Sequence, residues 1–162
     1  MTVHCEKFGS AWGVWSIEWG LEAAGPVLHR LGFPEVDLFE VAAEPSASID
    51  GLVDRIRRHL SGDLQDFRDV AVDLSGATPF TREVCAWIRG IPPGEVRSYG
   101  EVARAMGKPG ASRAVGQALS RNPIGLVVPC HRVVGAKGLT GFSAPGGLAT
   151  KERLLRLERA RI

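Results

Sequence analysis

Cysteine is scarce in this chain, and the three cysteines present are not arranged for a shared task. Cys5, Cys85 and Cys130 are odd in number, and no two of them form a Cys-x-x-Cys pair. This spacing argues against a disulfide-stapled fold and against a zinc module built on such pairs. Cys5 could join a metal site with His4 or His29, but no four-ligand pattern is present. We therefore expect reduced thiols and no bound metal or other cofactor.

Long apolar runs are missing as well. No stretch approaches the roughly 20 residues that a membrane helix needs. The first residues lack a basic region followed by an apolar core, which is the mark of a secretory signal. Hydrophobic residues make up 44% of the 162 and charged residues 23%, the balance of a folded globular protein. We expect a cytoplasmic monomer without a membrane segment, built as one ordinary domain or two small ones.

Charge is distributed unevenly along the chain, although the net charge is only +2. Residues 1–75 carry 6 Lys and Arg against 13 Asp and Glu, a formal charge of −7, whereas residues 76–162 carry 14 against 5, a formal charge of +9. Such an excess of cations is typical of a surface that binds phosphates, although it can also be a solvated face or pair with an acidic neighbour. The second half is therefore a candidate nucleic-acid-binding domain.

The first half, residues 1–75, reads as a small α+β domain. Alternating apolar residues over 15–21 predict a half-buried strand. Ser48 is placed to cap a helix over about 50–60, where apolar residues recur at helical spacing. A second alternating run over 70–74 predicts another strand. No recognisable catalytic constellation occurs in this half.

The second half, residues 76–162, contains three well-punctuated helices before its most reactive residue. Thr78 and Pro79 have the cap and first-position chemistry of a helix start, and Pro92 is expected to end that helix. Ser98 and Glu101 form a capping box that opens a short helix, which Gly107 stops. A third helix is predicted over about 111–120, and residues 126–128 then read as a short extended run.

Two short helices joined by a glycine-containing turn are typical of a helix-turn-helix. Many such pairs are only packing units, but this one lies in the half with a charge of +9. Arg113, Ala114 and Gly116 fall on the outward face of the second helix. The two small residues would let its backbone approach a narrow minor groove closely. The pair is therefore a candidate DNA-reading element.

Cys130 and His131 are the best candidates for chemistry. A thiol with a pKa of about 8.5 is mostly protonated near neutral pH, so a nearby imidazole is the expected activator. Neighbours on a strand point to opposite faces, so a turn at Pro129 would be needed. Glu158 falls on the apolar stripe of a last helix over about 147–160, where it could orient His131. The alternative is a helix-end carboxylate that reaches solvent.

Several motifs of the second half also agree with one known family. They are Pro-Cys-His-Arg-Val-Val at 129–134, Arg-Ala-Val-Gly at 113–116 with Asn-Pro at 122–123, Ser-Tyr-Gly-Glu-Val-Ala at 98–103, and the segment 146–158. In this order they resemble the active-site motif, the recognition helix with its asparagine hinge, the preceding helix and the closing segment of the O6-alkylguanine-DNA alkyltransferases. The resemblance implies an α+β protein with a small RNase H-like N-terminal domain and a mainly helical, winged-helix-like C-terminal domain.

The resemblance also implies a role for each matching residue of the reactive centre. Cys130 would accept the alkyl group from O6 of guanine, His131 would take the thiol proton through a water, and Glu158 would steady the imidazole. Asn122 would brace the turn and the active-site loop. Because a thioether has no easy route back to a thiol, each molecule would act once.

The implied partner is double-stranded DNA that contains O6-alkylguanine, bound at the minor groove with the damaged base flipped out. Arg113 would fill the gap, and Tyr99 would push the 3′ phosphate and donate to a ring nitrogen of the base. The carbonyls of Cys130 and Val133 would accept from the exocyclic amine, and the Ser143 N–H would donate to O6. The remaining candidate DNA contacts are Ser98, Ala114, Gly116 and Arg121.

One position departs from the family pattern. Phe142 stands where many relatives have a tyrosine against the alkyl group, which affects the range of alkyl groups accepted and not the reaction. Two other functions remain to be compared with alkyl transfer. One is a damage sensor that flips the base without reacting, which the presence of Cys130 opposes. The other is a Cys-His-Glu hydrolase, which would need an oxyanion hole and would leave the helix-turn-helix unexplained.

Overall fold

A three-stranded antiparallel sheet opens the chain in the computed structural model, which describes residues 2–35 and 44–162. Its strands are β1 (Val3–Ser10), β2 (Gly13–Glu22) and β3 (Gly25–Gly32), in the order β1-β2-β3. Trp15, Ile17 and Trp19 are buried, which confirms the strand predicted over 15–21. Leu21 was predicted to point inward as well, but it is 56% exposed because it lies beside the open β2–β3 turn.

Helix α1 (Asp50–Leu60) packs against this sheet through Val53 and Ile56, and it confirms the helix predicted over 50–60. The predicted Ser48 cap is wrong. The N–H groups of Ile49 and Asp50 both donate to the carbonyl of Ser46, so Ser48 lies within a preceding turn. Ile49 occupies the cap position without a side-chain hydrogen bond.

The strand predicted over 70–74 is also wrong, because this segment pairs with β3 at a single point. Leu28 donates to the carbonyl of Ala71 and accepts from the N–H of Asp73, and the pairing goes no further. Three residues after Leu28 in β3, the N–H of Leu31 donates instead to the carbonyl of Pro123. The outer edge of β3 is therefore divided between a loop of the first half and a turn of the second.

The second half carries the helix pair that the sequence predicts. Helix α2 (Pro79–Ile88) has Thr78 as its cap and ends before Pro92, and α3 (Tyr99–Ala105) begins with the predicted capping box. Gly107 stops α3 with a φ of 70°, a conformation that favours glycine. Helix α4 (Ser112–Ser120) follows and packs on α2 and α3. The two-residue strands β4 (Arg97–Ser98) and β5 (Val133–Val134) pair in parallel beside them.

Residues 126–128 were predicted to be extended, but they form a buried turn. The N–H of Val128 donates to the carbonyl of Ile124, and Leu126 has a φ of 72°. The apolar residues are needed here because the turn lies inside the core and not because it is a strand. Gly125 at its start is pressed against the first half, since a Cβ there would lie 2.4 Å from Cε2 of Phe33.

The last helix, α5 (Gly147–Leu157), brings Leu154 and Leu155 into the core, and Glu158 directly follows it. The buried apolar residues of both halves form one continuous cluster. The fold is thus a mixed α+β arrangement in which the halves share a core. Across the ranges that the structure describes, no helix has the length and apolar character to cross a membrane.

Candidate active site

Cys130 lies at the wall of a cavity of about 280 Å³ between the helix pair and the loop before α5. Four other residues singled out from the sequence share this cavity, namely Tyr99, Gly116, Phe142 and Ser143. The lining also includes Leu119, Ser120 and Gly141, which the sequence did not single out. A small, mostly apolar cavity with a reactive side chain is the usual form of a small-molecule or base-binding site.

The turn that presents Cys130 is held by Asn122. The chain leaves Pro129 into a 3₁₀ turn over Cys130–Arg132, so the Cys-His pair is not part of a strand. The Asn122 amide donates to the carbonyl of Val128 at 2.9 Å and to Sγ of Cys130 at 3.3 Å, while its oxygen accepts from the N–H of Ile124. One side chain therefore fixes the turn and the sulfur together.

Burial raises the pKa of the Cys130 thiol. The hydrogen bond from Asn122 and the positive charge of Lys151 oppose that rise only in part. At neutral pH the sulfur is therefore protonated, and a base must remove the proton before the sulfur can attack an electrophile.

His131 has the free nitrogen that such a base needs. Its Nε2 lies 2.9 Å from Oε1 of Glu158, so the neutral ring carries its proton on Nε2 and keeps a lone pair on Nδ1. Nδ1 is buried and has no hydrogen-bond partner among the described residues. Burial lowers the pKa of His131, against the opposing charge of Glu158, so the ring is neutral near pH 7.

Glu158 is the centre of a buried ionic cluster and does not reach solvent, being 1% exposed. Its Oε1 accepts from Nε2 of His131, from Nε2 of His59 at 3.0 Å and from Nη2 of Arg132 at 2.8 Å, and its Oε2 accepts from Nε of Arg132 at 2.9 Å. Burial alone would raise the pKa of Glu158, but the charge of His131 and the hydrogen bonds from His131, His59 and Arg132 hold it well below its usual range.

Three buried polar side chains of this region were missed from the sequence. Arg132 lies inside the active-site motif, and its inward direction follows from the 3₁₀ turn. Lys151 lies in the closing segment 146–158 without a role of its own, and the sequence pattern of α1 does not single out His59. The one signal for His59 was its place three residues after Ile56, on the apolar face of the helix.

Lys151 ties the loop before α5 to the active-site turn. Its ammonium donates to the carbonyls of Val133 at 2.5 Å, Thr140 at 3.0 Å and Gly141 at 3.3 Å. Burial lowers the pKa of Lys151 to about 8. The Val133 carbonyl, expected to accept from the exocyclic amine of a base, thus already accepts one hydrogen bond and keeps one lone pair.

The candidate DNA-contact residues fall in different places. Arg113 and Ala114 are exposed on the first turn of α4, whereas Gly116 lies inward, where a Cβ would be 3.7 Å from the Tyr99 ring. Gly116 therefore belongs to the cavity more than to an outer DNA-reading face. The Ser98 hydroxyl accepts from the N–H of Glu101 and serves as the cap of α3.

Arg121 does not line the Cys130 cavity. It is exposed at the end of α4 and borders a separate cavity of about 390 Å³, together with His29, Asp73 and Thr78. Within the described ranges, no group of three or more His, Cys, Asp or Glu side chains is arranged to hold a metal ion.

The first half reaches this site at a second point. Phe33, just after β3, packs edge-to-face on Phe142 with ring centroids 5.8 Å apart. Phe142 lines the Cys130 cavity, so the wall next to the sulfur is supported from the first half. Tyr99 closes the opposite side, where its hydroxyl donates to the carbonyl of Thr140 at 3.4 Å.

Known proteins agree with this arrangement in sequence and in fold. Residues 79–160 match the family model described as 6-O-methylguanine DNA methyltransferase, DNA binding domain. A methylated-DNA–protein-cysteine methyltransferase of Mycobacterium tuberculosis is 49% identical over 142 residues, which cover 82% of this chain and 84% of that protein. A Shigella flexneri protein of the same name is 49% identical over 109 residues, covering 67% and 62% of the two chains.

Solved structures extend the similarity to nearly the whole chain. The crystal structure of M. tuberculosis OGT in complex with DNA has a TM-score of 0.77 at 38% identity and covers 97% of this chain and 94% of that one. The O6-methylguanine-DNA methyltransferase of Pyrococcus kodakaraensis shares the fold, with a TM-score of 0.68 at 24% identity over 97% and 99% of the chains. This chain belongs to the methylated-DNA–protein-cysteine methyltransferase family, the one that the motifs around Cys130 resemble.

Proposed function

We propose that this protein repairs DNA by moving the alkyl group of O6-alkylguanine to Sγ of Cys130, once per molecule. The observation that carries the proposal is the arrangement of the Cys130 thiol, the His131 imidazole and the Glu158 carboxylate. The thiol is protonated, and the neutral imidazole is hydrogen-bonded to Glu158 through Nε2. Nδ1 of His131 has no partner among the described residues. The family relatives named above are methylated-DNA–protein-cysteine methyltransferases, and one of them is known in complex with DNA.

The proposed reaction begins with removal of the thiol proton. No hydrogen bond joins His131 Nδ1 to Cys130 among the described residues, so the proton passes through a water to that nitrogen. Glu158 stabilises the imidazolium that forms. Sγ then displaces guanine from the alkyl carbon: the S–C bond forms as the C–O6 bond breaks, and the bonding electrons pass to the guanine.

The leaving base is stabilised by groups around the cavity. The N–H of Ser143 donates to O6, and the Tyr99 hydroxyl turns from the Thr140 carbonyl to donate to a ring nitrogen. The proton taken from the thiol ends on the guanine, so the products are S-alkylcysteine and guanine. The thioether has no easy route back, which makes the protein a stoichiometric reagent.

The DNA partner is proposed to bind at the helix pair α3–α4 with the damaged base flipped into the Cys130 cavity. The target carbon lies inside the duplex, so the base must leave the stack. The charge of +9 on residues 76–162 suits a surface that meets phosphates. Ser98, Ala114 and Arg121, around α3 and α4, are proposed as further phosphate or groove contacts.

We also propose the finer architecture that the sequence predicts. Residues 1–75 would be a reduced RNase H-like domain, supported by three antiparallel strands crossed by one helix. Residues 76–162 would be a winged-helix-like domain, supported by the helix pair and the small β4–β5 sheet. We further propose that the protein acts as a monomer in the cytoplasm.

The test is the intact mass of the purified protein after mixing with excess duplex that contains one O6-methylguanine. We expect a gain of one CH₂ per protein molecule and no further gain with time or excess DNA. Tight binding without any mass change would identify a damage sensor and contradict the proposal. Repeated turnover of an acyl ester without modification would identify the hydrolase instead.

Arg113 provides a second test because it is exposed on α4, where it can fill the gap left by the flipped base. Flipping costs a few kcal/mol in duplex DNA and nothing for a free base. We expect Arg113→Ala to slow repair of duplex by roughly 10- to 100-fold, because each 1.36 kcal/mol is a tenfold change in rate. Attack on free O6-methylguanine should change little.

The matched control is Arg156→Ala, which removes an equal charge from an exposed position paired with Glu152 on α5. Single-turnover rates on duplex and on free base are compared for both variants. Equal losses on the two substrates in Arg113→Ala would contradict the finger assignment.

A further inference from the structure

His59, on α1 of the first half, touches the same carboxylate oxygen that holds His131. Its Nε2 lies 3.0 Å from Oε1 of Glu158, and both side chains are fully buried. The contact joins residues 99 positions apart in the chain. The first half therefore supplies one of the four hydrogen bonds on the Glu158 carboxylate.

The tautomer of the neutral His59 ring follows from its other nitrogen. Nδ1 accepts a hydrogen bond from the backbone N–H of Gln65 at 3.0 Å, so it carries a lone pair and no proton. The proton of the neutral ring is then on Nε2, which donates to Glu158.

His131 differs from His59 at Nδ1. Both rings place Nε2 on Oε1 of Glu158, but Nδ1 of His131 has no partner among the described residues and is free to take a proton. Nδ1 of His59 is instead occupied by the N–H of Gln65, so only His131 has an open ring nitrogen beside the active-site turn.

Two further charged groups lie around the carboxylate, Arg132 and Asp66. Arg132, next to His131, gives Glu158 two hydrogen bonds and a compensating charge. Asp66, in the loop after α1, feels the charge of Arg132. Together with His59 from α1 and Glu158 itself after α5, these are the titratable and charged groups that face the cluster in the described part of the chain.

We propose that His59 is a positioning residue for alkyl transfer: by donating to Oε1 of Glu158 it fixes the carboxylate against His131 and weakens its pull on the His131 proton. The proposal rests on the proposed function. A donor on Oε1 spreads the negative charge of the carboxylate, which stabilises the imidazolium of His131 less. The first half of the chain thereby keeps the base neutral at lower pH.

Removing this donor has an effect of known sign. Without His59 the carboxylate attracts the His131 proton more strongly, so the pKa of His131 rises. The rate of transfer climbs with pH as His131 loses its proton, so its midpoint must move to higher pH. We expect His59→Phe to raise that midpoint by about half a unit to one unit and to lower the rate below the midpoint by the matching factor of roughly 3 to 10.

The experiment measures the single-turnover rate at saturating methylated duplex between about pH 5 and pH 9. His59→Gln keeps a side-chain N–H donor and is expected to return the midpoint most of the way to that of the unmodified protein. DNA affinity should be the same in all variants, because His59 lies outside the cavity. An unshifted midpoint in His59→Phe with a lower melting temperature would show a structural role only and overturn the proposal.

The matched control is Trp12→Phe. Trp12 also links the halves, because its ring stacks on Arg153 of α5. Its Nε1 donates to the carbonyl of Leu60, next to His59 in α1, but Trp12 does not touch Glu158. We expect it to lower the melting temperature and leave the pH midpoint unchanged. A shift as large as that of His59→Phe would trace the effect to loosened packing between the halves and overturn the proposal.

A measurement on the unmodified protein decides the case even if His59→Phe does not fold. Imidazole ¹⁵N shifts of the neutral rings should show the His59 proton on Nε2, where it is donated to Glu158, and none on Nδ1, which accepts from Gln65. A His59 tautomer with its proton on Nδ1 could not donate to Glu158 and would overturn the proposal. If the unmodified protein gains no methyl group at all, the proposed alkyl transfer itself fails. That result is distinct from failure of the positioning role of His59, in which transfer occurs but does not depend on His59 as expected.

Discussion

Replacing Cys130 by serine is expected to abolish alkyl transfer entirely while leaving binding of the damaged duplex almost unchanged. A hydroxyl is a far weaker nucleophile than a thiolate at neutral pH, and His131 is not basic enough to ionise it. Serine is close to cysteine in size and can still accept from the Asn122 amide, so the turn over Cys130–Arg132 should keep its shape. Intact mass measures the transfer, and fluorescence anisotropy with labelled duplex measures the binding.

Cys5→Ser is the matched control because Cys5 is an exposed thiol on β1, far along the chain from the cavity. It should gain one CH₂ as the unmodified protein does. A gain of CH₂ by Cys130→Ser, or no gain by Cys5→Ser, would show that Cys130 is not the acceptor.

Replacing Glu158 by leucine is expected to destabilise the protein by about 3–5 kcal/mol, the cost of leaving one partner of a buried ion pair alone. Arg132 is only 5% exposed, and its guanidinium gives two hydrogen bonds to Glu158. His59 and His131 would lose their acceptor in the same step. Urea denaturation gives the free energy of unfolding. Transfer by any folded fraction should also be slow, because nothing would stabilise the His131 imidazolium.

The pH dependence of the free energy of unfolding independently tests how much the Glu158 carboxylate stabilises the fold. The folded-state pKa of Glu158 is depressed, so its stabilisation is fully present above the unfolded pKa of about 4.3 and is lost as the pH falls toward the folded value. Glu158→Leu should flatten that acid limb. Glu152→Leu, which removes an exposed pair with Arg156, should change the stability by less than about 1 kcal/mol. Equal losses in the two variants would mean that Glu158 is not the centre of the cluster.

Much of the secondary structure of the second half could be predicted from local sequence signals, because the residues that form those signals are only a few positions apart. The capping box joins Ser98 and Glu101, three positions apart, and Glu158 falls on the helical stripe of Leu154 and Leu155. Both features depend on helix geometry alone. The burial of Glu158 could therefore be predicted without knowing its partners.

Features that depend on contacts between distant parts of the chain could not be predicted from these local signals. His59 has the spacing of any core residue of α1, and its partner lies 99 positions away. The run over 70–74 alternates as a strand does, but β3 has room for it only beside Leu28. Apolar residues at 126–128 are equally consistent with a strand and with a buried turn, and only the packing against Phe33 and the core distinguishes the two.

The divided edge of β3 bears on how far this protein can be shortened. The segment that matches the family model begins at residue 79 and contains the helix pair, the cysteine and the glutamate. A repair module cut down to that length would lose the Leu31 N–H that holds the Pro123 carbonyl, just one residue after Asn122. It would also expose Phe142, which Phe33 now covers. A smaller version is therefore better sought by shortening surface loops than by discarding the acidic half.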